Sequence, residues 1–325
     1  MEYITVGSTG VKVSRLCFGT MSFGGDADEA TSGRMFTQCR DAGINFFDTA
    51  NVYSGGKSEE ILGRLIQGTR DELVLTTKVA GRMGNGPNDA GLSRRAIRMQ
   101  IERSLTRLGT DRVEFYFCHV FDAETPIEET LSALNDLVRD GKILYPAVSN
   151  WAAWQIERAL GVSARNQWAR FELLQPMYSL VKRQAEVEIF PMAQAERLGV
   201  IPYSPLGGGL LTGKYAGGQK PAVGRINDNA MYAKRFAAPW VHEAAGKLAE
   251  AAKSRGVHPA TLAVAWAMSH PAVTAPIIGS RNPDQLAPSL KAADLKLSKE
   301  ERAAISGLTP RPGPANDRTE ELQPE

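Results

Sequence analysis

Asn45-Phe46-Phe47-Asp48-Thr49-Ala50-Asn51-Val52-Tyr53-Ser54-Gly55-Gly56-Lys57-Ser58-Glu59 reads as a strand, a loop and the start of a helix. An apolar run ends in an aspartate, the loop carries a tyrosine, and paired glycines break the backbone. Ser58 stands as a hydroxyl cap with Glu59 and Glu60 in the first turn. If residues 44–48 form a buried parallel strand, Asp48 sits at its carboxyl end, where an unpaired carboxylate is costly. It therefore needs a cationic partner from another strand. Leu73-Val74-Leu75-Thr76-Thr77-Lys78 is a second β-rich run ending in a lysine, and Val113-Glu114-Phe115-Tyr116-Phe117-Cys118-His119 is a third ending in a histidine. Three consecutive strand ends thus deliver Asp48, Lys78 and His119, with Tyr53 just past the first.

These four side chains suit acid–base chemistry without a nucleophile. A free tyrosine is a poor acid, with a reference pKa near ~10, and an adjacent ammonium favours its phenolate. At about 4 Å and an effective dielectric of about 20 the attraction is roughly 4 kcal/mol, a downward shift of about three units at most. Asp48 holds Lys78 charged and gives back part of that effect. Tyr53 so placed donates a proton to a carbonyl oxygen in one direction and accepts it in the other, while His119 orients that oxygen. Taken singly, a strand-end Asp, Lys or Tyr is usually an ordinary structural residue, and His119 alone reads as readily as a satisfied core histidine.

The rest of the chain repeats the alternation of strand and helix. Strand runs are expected at Leu16–Thr20, Ile143–Val148, Phe171–Gln175, Val200–Tyr203 and Val273–Ile278. Helices are expected near residues 28–42, from Ser58 to about Ile66, from Ser93, from Pro126, at 239–255, at 259–270 and from Pro283. This order favours a parallel sheet with both faces covered. Residues 3–13 read as a hairpin turning at Ser8-Thr9-Gly10, suited to plug one end. At 325 residues the chain fits one domain, with residues 309–325 as a loose tail rich in proline, glycine and charge.

Composition removes several function classes. Lysine plus arginine number 38 against 36 aspartate plus glutamate, so no strong field for nucleic acid or acidic membranes exists. The arginines at 94, 95, 98, 103 and 107 lack interleaved aromatics and read as a solvated helix face. Cys17, Cys39 and Cys118 form no C-x-x-C pair and read as buried thiols. Four histidines in no ligand spacing imply no metal. The start Met1-Glu2-Tyr3-Ile4 lacks a basic and then apolar segment, so a cytoplasmic protein is expected.

Two further stretches carry anion chemistry. Ser204-Pro205-Leu206-Gly207-Gly208-Gly209-Leu210-Leu211-Thr212-Gly213-Lys214 follows a strand, and its glycines and lysine present backbone N–H groups and a charge to a pyrophosphate. It is not a G-x-G-x-x-G, and a glycine triplet alone is also a plain turn. Gly279-Ser280-Arg281 precedes a helix beginning near Pro283, where hydroxyl, guanidinium and helix dipole suit a ribose phosphate. Residues 216–238 are the longest poorly patterned stretch, either a lid or a loose segment.

The run Asp48-Thr49-Ala50 to Ser58-Glu59-Glu60-Ile61-Leu62-Gly63, with Tyr53, Lys78 and His119, resembles the aldo-keto reductases, most closely the bacterial branch that also resembles potassium-channel β subunits. The resemblance extends from Gly10 through Arg281. It implies a (β/α)8 barrel, the TIM barrel, with the hairpin closing its bottom face, and Asp48, Tyr53, Lys78 and His119 as a catalytic tetrad. It also implies a nicotinamide cofactor, with Thr20 and Met21 beside the nicotinamide ribose, and Ser149, Asn150 and Gln175 on the carboxamide. Without the resemblance, Ser149 and Asn150 read as a helix cap. Tyr203 would stack on the ring, and Ser204, Leu206, Gly208 and Lys214 would hold the pyrophosphate. Gly279, Ser280, Arg281 and Gln285 would take the adenosine end, favouring NADPH, with NADH possible. Phe23, Phe121, Trp151 and the 216–238 segment would wall an aldehyde or ketone, or the corresponding alcohol. The expected function is reversible hydride transfer between NADPH and a carbonyl compound. The alternative is a nicotinamide-binding redox sensor or interaction subunit with slow turnover. A non-redox barrel enzyme, such as a sugar isomerase or phosphatase, is the third class. Substrate and oligomeric state are not legible in the sequence.

Overall fold

The computed structural model describes residues 1–215 and 224–321. A hairpin opens the chain, β1 (Tyr3–Thr5) pairing antiparallel with β2 (Lys12–Ser14). Strands and helices then alternate: β3 (Cys17–Gly19), α1 (Glu29–Asp41), β4 (Phe46–Asp48), α2 (Lys57–Leu65), β5 (Val74–Val79), α3 (Arg94–Leu108), β6 (Val113–Cys118) and α4 (Ile127–Arg139). The second half carries β7 (Ile143–Ser149), α5 (Ala153–Asn166), β8 (Leu173–Gln175), α6 (Ile189–Ala195), β9 (Gly199–Val200), α7 (Arg225–Asp228), α8 (Ala230–Arg235), α9 (Pro239–Ser254), α10 (Pro259–Met268), β10 (Ile277–Ile278), α11 (Pro283–Leu290) and α12 (Lys299–Ser306).

Strands β3 to β10 form one parallel sheet, ordered β10-β3-β4-β5-β6-β7-β8-β9. Its two outer strands meet through backbone hydrogen bonds outside the ladder. Thr274 and Ala275 donate to the Val200 carbonyl at 2.8 and 3.3 Å, and Ile277 donates to Pro202 at 2.9 Å. These bonds curl the sheet into the (β/α)8 barrel.

Strand periodicity decides which side chains face the axis, because successive residues point to opposite faces. Phe46, Val74, Phe115, Phe117 and Leu173 fill the interior, whereas Phe47, Leu75, Tyr116, Cys118 and Leu174 pack outward in the larger core under the helices. Counting two residues on from Phe46, Thr76 and Phe117 brings Asp48, Lys78 and His119 to the inner face at the carboxyl ends. At the opposite end Val6 and Val13 of the hairpin belong to the interior cluster, so the hairpin stops the bottom of the barrel.

Several local features differ from expectation. Ser58 does not cap α2: the cap position is Gly56, at φ 100°, and Ser58 is fully buried. Its hydroxyl donates to the Thr20 carbonyl at 2.8 Å and meets the Thr20 and Thr49 hydroxyls at 2.8 and 3.0 Å. It ties two active-end loops together. The strands expected at Val200–Tyr203 and Val273–Ile278 shrink to two residues each, because the seam bonds replace a regular ladder. Of the segment 216–238, residues 216–223 lie outside the described residues, while α7 and α8 give the remainder helical order. Tyr232 and Phe236 anchor it in the core. Residues 322–325 of the expected tail also lie outside the described residues.

Candidate active site

Lys78 is fully buried and makes three contacts through its ammonium. It donates to Asp48 Oδ2 at 2.7 Å, to the Thr49 carbonyl at 2.6 Å and to the Tyr53 hydroxyl at 3.1 Å. The other Asp48 oxygen accepts from Thr76 Oγ1 at 2.6 Å and from Gln175 Nε2 at 2.8 Å. The carboxylate is thus satisfied on both sides, as a charge buried at 2 % exposure must be. Tyr53 and His119 meet ring edge to face, with centroids 6.0 Å apart.

The electrostatics correct the expected shift of the tyrosine. Burial pushes the Tyr53 phenol above its ordinary value, and the attraction of Lys78 offsets only part of this. The pairwise attraction to the ammonium acts as anticipated, but desolvation of the phenolate outweighs it. For Lys78 burial acts downward, yet Asp48 and Tyr53 together leave its pKa raised. The pair therefore rests as ammonium and neutral phenol. Burial and the Lys78 charge push His119 down to about 3, so its imidazole is neutral at ordinary pH.

A cleft of about 630 Å³ opens over these groups along the β9–β10 seam. Met21, Asp48, Tyr53, His119, Ser149, Asn150, Gln175, Tyr203, Ser204, Leu206, Gly208, Lys214, Gly279, Ser280, Arg281 and Gln285 all line it. Asn150 adopts φ 60°, which turns its amide back across the strand ends. Its Nδ2 donates to the His119 carbonyl at 2.9 Å and to Ser149 Oγ at 3.0 Å, and its Oδ1 accepts from the Tyr203 hydroxyl at 2.8 Å. Gln175 carries a second role that its expected carboxamide contact does not include, since its amide holds Asp48.

Four expected residues lie elsewhere. Thr20 is buried, and its hydroxyl contacts the Asp48 carbonyl and Ser58. Phe23 is fully buried against Phe18, centroids 5.8 Å apart, so its ring belongs to the core under α1 and not to the cleft. Phe121 and Trp151 pack edge to face at 4.9 Å beside the cleft, and Trp151 continues inward onto Phe171.

The glycine run adopts positive φ at Gly207, Gly208 and Gly209 (56°, 67° and 96°). A Cβ on Gly208 would lie 2.7 Å from the Tyr232 ring, and one on Gly209 would lie 3.3 Å from Lys214 Nζ. The backbone is therefore pressed against both side chains. Lys214 is held below its ordinary pKa by burial and by the neighbouring charges of Arg281 and Arg225. Three cations crowd one end of the cleft. Arg281 also reaches Asp26 at 2.9 Å and Asp228 at 3.9 Å.

Sequence reading missed Thr76, although its place two residues before Lys78 on the same strand face marks it. Met231, Tyr232 and Arg235 in the cleft wall come from the segment expected as a lid, whereas Arg225 of the same segment carried no signal in the sequence.

A parallel barrel whose strand ends converge on a buried carboxylate–ammonium–phenol chain, beside a long cleft with three cations at one end, marks an α/β-barrel protein. Comparison with known proteins is more specific. The Aldo/keto reductase family profile matches residues 15–309. The chain is 40% identical to the uncharacterized oxidoreductase YrpG of Bacillus subtilis (strain 168), across 96% of this chain and 97% of that protein. It is 37% identical to a probable voltage-gated potassium channel subunit beta of Oryza sativa subsp. japonica, across 91% and 92% respectively. It is 31% identical to versiconal hemiacetal acetate reductase of Aspergillus parasiticus, across 93% and 95%. The chain belongs to the aldo/keto reductase family and is an oxidoreductase of that family. Among the described residues, no helix is long and apolar enough to cross a membrane.

Proposed function

We propose that the protein is an NADPH-dependent carbonyl reductase in which Tyr53 gives a proton to the carbonyl oxygen of an aldehyde or ketone and takes it back in the reverse direction. The observation that carries this is the single ammonium of Lys78 bridging Asp48 and the Tyr53 hydroxyl at 2.7 and 3.1 Å. A phenol that is neutral at rest is in the state required of an acid. The ammonium beside it stabilises the phenolate left when the proton departs, and Asp48, fixed by Thr76 and Gln175, keeps that ammonium charged. Neutral His119 is available to donate a hydrogen bond to the same oxygen.

The donor set fits a phosphorylated dinucleotide. Lys214, Arg225 and Arg281 gather at one end of the cleft, the glycines beside Lys214 hold positive φ, and Tyr203 presents a flat ring near the tetrad. Ser149, Asn150, Gln175 and Tyr203 would hold the nicotinamide end, Ser204, Leu206, Gly208 and Lys214 the pyrophosphate, and Ser280, Arg281 and Gln285 the adenosine phosphate. NADPH bound there supplies the hydride.

Relatives described as channel β subunits support a second reading, a redox-reporting subunit with slow turnover. Steady-state NADPH oxidation with a panel of aldehydes and ketones separates the two. Turnover on the order of 1 per second or above on any of them supports the reductase. Rates far below that on every carbonyl overturn it.

A further inference from the structure

Ser58 and Glu59 stand in the first turn of α2 without reaching the cleft, yet both side chains are fully buried beside the strand ends. Ser58 Oγ gives its one proton to the Thr20 carbonyl at 2.8 Å, so it accepts from Thr49 Oγ1 at 3.0 Å. Glu59 accepts from Thr77 Oγ1 through one carboxylate oxygen and from Arg107 Nε through the other, the latter at 2.7 Å. Thr49 directly follows Asp48, and Thr77 directly precedes Lys78. Two consecutive residues of one helical turn therefore grip the chain beside each member of the buried ion pair.

Thr49, Ser58, Glu59 and Thr77 all have 0 % exposure and none lines the cleft, so none meets a ligand there. What they fix is a direction. The Lys78 ammonium has three N–H groups, and its acceptors are Asp48 Oδ2 at 2.7 Å, the Thr49 carbonyl at 2.6 Å and the Tyr53 hydroxyl at 3.1 Å. The two shorter bonds come from consecutive residues and set where the third N–H points. Thr49 is itself held from two sides, its N–H donating to the Thr76 carbonyl at 3.1 Å and its hydroxyl to Ser58. On β5 the period of two turns Thr77 outward, where Glu59 pins it and thereby the strand that carries Lys78. We infer that Ser58 and Glu59 are positioning residues, a two-sided clamp that aims the Lys78 ammonium at the Tyr53 hydroxyl and so governs proton transfer there. This rests on the reductase reading above and adds to it residues that act on the reacting atoms only through Thr49 and Thr77.

The test measures single-turnover oxidation of NADPH by benzaldehyde, with the KM of the aldehyde and the Kd of NADPH, in wild type, Ser58→Ala, Thr77→Val and Thr77→Ser. Ser58→Ala and Thr77→Val should each lower the rate about tenfold to a hundredfold, with KM and Kd within about twofold of wild type. Thr77→Ser, which restores the hydroxyl, should recover most of the rate. Ser32→Ala is the control for lost stability: it removes another fully buried hydroxyl, one in the first turn of α1 that donates to the Asp28 carbonyl at 2.7 Å, and should leave the rate unchanged. Should Ser58→Ala not fold, Ser58→Cys, a weaker acceptor of similar size, takes its place. The inference is overturned by a rate within about twofold of wild type on either side of the clamp, by an equal loss in Ser32→Ala, by no recovery in Thr77→Ser, or by a loss that falls on KM or Kd instead.

Crystal structures of the same variants keep the two proposals distinguishable. In Ser58→Ala and Thr77→Val the separation of Lys78 Nζ from the Tyr53 hydroxyl should grow from 3.1 Å beyond hydrogen-bonding reach. That result upholds the clamp even if wild type reduces no carbonyl, an outcome that would sink the reductase reading alone. An unchanged bond in either variant refutes the clamp whatever the rates.

Discussion

Gln175 Nε2 donates to Asp48 Oδ1 at 2.8 Å, across the barrel from β8 to β4. With Thr76 Oγ1 on the same oxygen, this leaves Asp48 Oδ2 aimed at Lys78. Gln175→Leu should orphan part of a buried carboxylate and lower stability by about 1–3 kcal/mol. Urea unfolding checks this, and a variant as stable as wild type would show that the amide adds nothing to the carboxylate's support.

Tyr53→Phe is expected to keep NADPH affinity while carbonyl reduction falls by about 10²–10⁴. The ring and its contact with His119 remain, and only the hydroxyl on Lys78 is lost. Stopped-flow turnover with fluorescence titration of the cofactor reads both. Unchanged kcat rules out Tyr53 as the acid.

Stability should depend on pH in two windows of opposite sign. His119 has a folded pKa of about 3 against an ordinary 6.5, so between those values the unfolded chain binds a proton that the native site does not. Stability is then lost as pH falls through that window. Lys78 and Tyr53 are both raised, so their contribution is complete below about 10 and is lost as pH rises above the unfolded values. Comparing wild type with His119→Gln at acid pH, and with Lys78→Met at alkaline pH, isolates each. A variant whose slope matches wild type in its own window contradicts the assignment.

Arg281→Ala should weaken NADPH far more than NADH, because the guanidinium lies with Lys214 and Arg225 in the cleft, where a phosphate would be held. Losing one charge-assisted contact to a phosphate corresponds to roughly 1.5–3 kcal/mol, or on the order of tenfold to a hundredfold in Kd. Equal losses for both cofactors would place no 2′-phosphate at this arginine.

What the sequence reveals and conceals follows from period and from packing. Asp48, Lys78 and His119 are legible because each ends an apolar run, and a period of two carries them to the same face as Phe46, Thr76 and Phe117. The hairpin is legible because Val6 and Val13 need something to bury against. Ser58 misleads because Gly56 reaches the left-handed cap region unaided, which frees the serine to turn inward. Phe23 misleads because sequence gives the loop but not the depth of the ring. The sign of the Tyr53 shift depends on desolvation, a property of the folded surroundings that no local pattern encodes.

The barrel's shortest strands, β9 and β10, meet at the seam fastened by Thr274, Ala275 and Ile277, and the cleft lies along that seam. A molecule gripping Tyr203 and Lys214 on one bank and Ser280 and Arg281 on the other acts as a rivet across the join. Occupancy at a hundredfold excess over Kd adds about 2.7 kcal/mol, and it falls on the part of the wall with the fewest ladder bonds. Amide exchange at Thr274, Ala275 and Ile277 should slow more on loading than exchange in β5 or β6. Filled in this way, the groove would also be the clasp that finishes the barrel.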